Sequence, residues 1–78
     1  MGQKDIYNLL KEKNDWVLSR EILNITKMSH GALYRILRIL EKNNEITKEK
    51  AIKVIKEEER LNSSTKNAWA YKIKPKNK

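Results

Sequence analysis

The sequence predicts a small α+β domain, three helices with a small β-sheet or hairpin, on three observations. Leu33, Ile36, Leu37 and Leu40 recur at i, i+3, i+4 and i+7, and about 100° per residue places them on one helical face. Trp69, Tyr71 and Ile73 alternate with Ala70 and Lys72, the period of a strand with one buried side. The 78-residue length suits a single core and leaves no room for a deep cleft, since a chain this small buries only about 60% of its unfolded surface.

Composition narrows the function classes. Lys and Arg number 18 against 10 Asp and Glu, a net charge of +8, with both halves of the chain basic and the second more so. A polyanionic partner is the leading inference, against charge that serves only solubility. Cysteine is absent, so neither a disulfide nor a thiolate metal site is expected. His30 is the only histidine and has no partner for metal or base chemistry, and glycines at positions 2 and 31 make no phosphate-cradling loop. The expectation is a non-enzyme with no cofactor, no metal and no small-molecule substrate. No apolar run nears the roughly 20 residues of a membrane span and no signal peptide is evident, so a soluble, cytoplasmic protein without membrane association is expected.

Taken in order, residues 4–13 form an amphipathic helix with Ile6, Leu9 and Leu10 inward, ended by Asn14 and Asp15. Trp16, Val17 and Leu18 are strand formers, too few for a helix. Ser19 has the chemistry of an N-cap, and Glu21 suits the first turn of a second helix whose inner side is Ile22, Leu23 and Ile25. The chain must turn sharply at Lys27, over Met28, and Ser29 is placed to cap a third helix running to about Lys42. The pair Asn43 and Asn44 stops it, because Asn tolerates the left-handed conformation. Ala51–Leu61 reads two ways: Ile52, Val54 and Ile55 favour a strand pairing with 68–74, while a helix capped by Thr47 would gather Ile52, Ile55 and Leu61. Residues 62–67 are polar and unpatterned, a hairpin tip or exposed loop, and the end after Pro75 is a basic tail.

From Ser19 to Ile46 the chain resembles the winged helix-turn-helix domains of prokaryotic, archaeal or viral transcription regulators. The likeness rests on Ser19, the pair Glu21 and Ile22, Ile25, and the Met28-Ser29 step that opens the longer helix. It extends to core positions Leu33, Leu37 and Leu40 and to the closing aliphatic Ile46. Two residues depart from the pattern. Lys27 stands where glycine is common, which implies a left-handed residue strained by about 1 kcal/mol, and Leu23 stands where a small alanine is usual. The resemblance implies a winged-helix domain over residues 1–75 with a tail at 76–78, residues 29–42 as recognition helix, and a hairpin wing. That last implication selects the strand for Ala51–Leu61.

On this reading the partner is double-stranded DNA and the role transcriptional regulation. Ser29, His30, Gly31, Tyr34, Arg35 and Arg38 are the recognition-helix candidates, Arg for its planar fork on guanine and Gly31, with Ala32, for close approach. Ser19, Thr26 and Lys27 are candidates for backbone phosphates, and Asn62, Ser63, Ser64, Lys66 and Asn67 for the wing. Plainer readings compete: Arg35 and Arg38 as solvated charges, Tyr34 as a cover on the core edge, Trp16 and Trp69 as core, and Glu57–Glu59 as a solvated edge. Ile39 lies off the main stripe and needs a partner in the fold or in a homodimer. A protein-binding adaptor on the same fold is the alternative function, and RNA is disfavoured because its deep major groove admits no helix.

Overall fold

A computed structural model describes residues 2–61 and 68–74. The expected wing residues Asn62, Ser63, Ser64, Lys66 and Asn67, and the tail at 76–78, lie outside the described residues. The chain is α+β. Its order is α1 (Gln3–Lys13), β1 (Val17–Leu18), α2 (Ser19–Thr26), α3 (His30–Lys42), β2 (Ile46–Lys50), a one-turn α4 (Ala51–Val54), a 3-10 turn (Glu58–Arg60) and β3 (Trp69–Ile73). The strands form one antiparallel sheet in the order β1-β3-β2, compatible with a small winged-helix-like fold.

Local chemistry accounts for the helix boundaries. At the end of α1, Asn14 adopts φ 51° and its N–H donates to the Leu10 carbonyl. Helix α2 starts one residue earlier than its expected cap: Leu18 holds the cap position, and Glu21 reaches back to accept from the Leu18 N–H at 3.0 Å. Ser19 is therefore not the N-cap. It is already helical and 5% exposed, because β1 runs straight into α2. Between α2 and α3, Lys27 takes φ 61°, the left-handed position expected of it, and the Ser29 hydroxyl accepts from the Ala32 N–H at 3.3 Å. Asn44, at φ 61°, closes α3.

Two apolar clusters lie on the two sides of the sheet. Val17, Ile46 and Tyr71 on one sheet face pack with Ile6, Leu10, Ile22, Leu33, Leu37 and Leu40 of the helices. On the other face Leu18 and Ala70 pack with Ala51 and Ile55. This second cluster overturns the strand expected at Ala51–Leu61. The partner of β3 is Ile46–Lys50, in the register Ile46↔Ile73 to Lys50↔Trp69. Beyond Lys50 the chain makes one helical turn, closed by the Ile55 N–H on the Ala51 carbonyl. Ala51 and Ile55, one turn apart, are buried while Ile52 and Lys53 are both exposed, whereas a strand that buried 51 and 55 would bury 53 with them.

A side-chain clasp holds this segment down. The Arg60 guanidinium donates to both Glu21 carboxylate oxygens, at 2.7 and 2.9 Å, to the Trp16 carbonyl at 3.0 Å, and to Glu57 at 3.0 Å. Burial pushes the Glu21 carboxyl up. The Arg60 hydrogen bond, the Leu18 N–H and the charges of Arg60 and Lys13 outweigh it and hold the group below its usual value of 4.5. A carboxylate depressed in the folded state contributes stability that is complete above its unfolded pKa and lost as pH falls through the folded one. Urea midpoints should accordingly hold level at neutral pH and fall below about pH 4.5. Glu21→Gln should remove about 1–2 kcal/mol at neutral pH and flatten that acid limb, since both side chains are partly exposed. An unchanged limb in the variant would assign the acid sensitivity elsewhere.

Among the described residues, no helix is long and apolar enough to cross a membrane.

Candidate nucleic-acid interface

Helix α3 is held by its back. Leu33, Leu37 and Leu40 are 0%, 1% and 0% exposed, and Ile36 is half-buried on the flank. Turned out from that stripe are His30, Gly31, Arg35 and Arg38, all exposed. Neither arginine has a hydrogen bond or ion pair among the described residues, so both guanidiniums are available to a ligand. A Cβ on Gly31 would meet nothing within 4 Å, so the protein's own packing does not demand glycine there; its effect is to thin the outer surface of the helix. At the α3 N-terminus Ser29 is exposed, and the free amides of the first turn present a site for an anion. Lys27 is exposed beside it.

Three expected contacts are relocated. The Ser19 hydroxyl is paired with the Tyr34 hydroxyl at 3.1 Å, in a side chain too buried to meet a backbone phosphate. Thr26 donates its only hydroxyl proton to the Ile22 carbonyl at 2.8 Å and accepts from the Met28 N–H, which leaves no donor for a phosphate. Tyr34 is 37% exposed, with its oxygen tied to α2 and its ring 5.8 Å from that of His30. It braces α3 against α2, nearer the plain reading of a core-edge cover than that of a base reader.

Sequence reasoning missed the cations of the sheet. Lys48 and Lys50 lie on the same face of β2, opposite Tyr71 and Trp69. Their ammonium groups sit 4.7 and 5.5 Å from the centre of the Trp69 ring. Lys48 also approaches Glu41 of α3 at 3.5 Å. Between α3 and this face runs a groove of about 260 Å³, lined by Tyr34, Arg38, Glu41, Lys48, Trp69 and Tyr71 together with Leu37. The only sequence signal was the alternation of ITKEK, legible once its partner strand is known. Trp69 is half-buried against the helical core and Trp16 against the second cluster, so each indole is an edge of the core rather than its centre.

A larger cleft of about 450 Å³ lies between the end of α1, β1 and α2, with Glu21 and Arg60 on its wall, and shares no residue with α3. Its two strongest charges neutralise one another. Ile25 at its edge is 51% exposed, and Ile39 on α3 is 39% exposed.

Compared with protein-family models, curated proteins and solved structures, the chain matches none.

Proposed function

We propose that this protein binds double-stranded DNA as a winged helix-turn-helix transcription regulator, inserting α3 into the major groove. The observation that carries the reading is the pair of exposed, unengaged guanidiniums of Arg35 and Arg38 opposite three leucines that are all but sealed. Arg is the side chain best suited to guanine O6 and N7, and α3 offers two, with His30 and Gly31 at its entering end. Ser29 and Lys27 meet phosphates at that end, and Lys48 and Lys50 extend the cationic surface onto the sheet. The protein acts by occupancy, without catalysis, in the cytoplasm. Two copies on half-sites about 34 Å apart would read a palindrome.

The exposure of Ile25 and Ile39 favours a second reading, a protein-binding adaptor. Salt separates the two. A DNA complex with about five phosphate contacts should lose affinity with a log–log slope near −4 to −5, measured by anisotropy on a duplex selected from a random pool. A flat response, with no sequence enriched by the selection, rejects DNA binding. A two-fold symmetric consensus would identify a dimer.

A further inference from the structure

Tyr71 lies in the middle of β3, opposite Lys48 on one side and Val17 on the other, and only 3% of it is exposed. Its hydroxyl nevertheless has no hydrogen bond among the described residues. No fully enclosed side-chain oxygen or nitrogen among those residues lacks a partner, so this hydroxyl is open to solvent, and Tyr71 lines the groove beside α3. A bound acceptor would take the place of water at this hydroxyl.

The neighbours of that hydroxyl define the acceptor. Arg38 and Lys48 line the same groove, and the Lys50 ammonium lies 5.5 Å from the centre of the Trp69 ring that forms its wall. Glu41 is the one acid of the groove lining and is already paired with Lys48. Burial, then the proximity of Tyr34 and Glu41, pushes the Tyr71 phenol up to about 12. The group is therefore a proton donor at neutral pH. A neutral O–H and an ammonium, with a guanidinium at the rim, approach from different directions, which suits a phosphate with its several oxygens better than a flat carboxylate.

We infer that the groove between α3 and the sheet is a phosphate pocket, with Tyr71 and Lys48 as its donors, Arg38 at its rim adding charge while its fork is left for a base, and one backbone phosphate of the DNA as its occupant. The inference rests on the DNA-binding reading for the source of the phosphate. The donor set itself serves free phosphate equally, and the arms of the test separate the two.

Tyr71→Phe removes one oxygen and keeps the ring in the core. The variant should retain its thermal midpoint yet bind the selected duplex about tenfold more weakly, as expected for loss of a hydrogen bond to a charged group. Duplexes carrying a single neutral methylphosphonate, moved one linkage at a time, should include one position that weakens the parent more than it weakens Tyr71→Phe. Inorganic phosphate should shift the NMR signal of the Trp69 indole at a lower concentration in the parent than in the variant. Equal duplex affinity for parent and variant, in a parent that does bind DNA, overturns the pocket and leaves the DNA reading standing. Equal phosphate shifts in the two proteins overturn the role of Tyr71. A parent that binds no duplex, but whose phosphate shift saturates at a lower concentration than that of Tyr71→Phe, overturns the DNA reading and keeps the pocket as a site for free phosphate.

Discussion

Replacing Arg35 and Arg38 together with Ala should lower affinity for the preferred duplex by about 1–3 kcal/mol for each arginine that reads a base, roughly five- to 150-fold apiece. The substitutions should leave the urea midpoint where it was. Both side chains are exposed and engage no described residue, so the fold loses nothing with them. Discrimination between the selected site and a scrambled one should shrink along with affinity. Replacing Lys27, proposed to meet a phosphate, should instead weaken binding to all sequences alike. Anisotropy titrations of the double variant on both duplexes measure the two effects at once. Parent-like affinity and parent-like discrimination would show that α3 does not read the bases.

Leu37→Ala should have the largest effect on stability. Leu37 is 1% exposed, midway along α3, packed into the helical cluster and forming the floor of the groove beside the sheet. Truncating a leucine so enclosed costs about 2–5 kcal/mol, through the transfer energy of the removed methyls and the cavity they leave. A domain of this length has roughly 4–12 kcal/mol in total at about 0.05–0.15 kcal/mol per residue, so the variant should be partly unfolded at 37 °C. Ile39→Ala on the same helix is the matched control: at 39% exposure it should cost well under half as much. Chemical denaturation of the pair gives the comparison directly, and equal losses would mean that α3 is not anchored by the face described.

The two experiments probe opposite sides of one helix, and the contrast has a single cause. The leucines hold α3 by burial, and an exposed guanidinium carries no share of that burial. Binding and folding can therefore be altered separately at adjacent positions, Leu37 and Arg38. The groove is the exception, because Leu37 and Tyr71 belong both to the core and to its lining. Isosteric replacement is the informative change there.

What the sequence determined by itself is what short-range periodicity can encode. The apolar spacing of α3, the serine that caps it, the left-handed turn at Lys27, the alternation of β3 and the outward set of Arg35 and Arg38 are all properties of a few neighbouring residues. Tertiary structure decided everything that depends on a distant partner. Strand formers at Ile52, Val54 and Ile55 suggested that this stretch would pair with β3, yet Ile46–Lys50 occupies that position, and register is set by which apolar face must be covered. Arg60 finds Glu21 across 39 residues, a match that no local pattern announces. Ser19, Thr26 and Tyr34 carry hydroxyls that would suit a phosphate or a base, and only packing could show that the fold had already engaged all three. The hydroxyl of Tyr71 is the reverse case: a residue that alternation assigns to the core keeps one polar atom facing outward, because the sheet and α3 do not close completely over it.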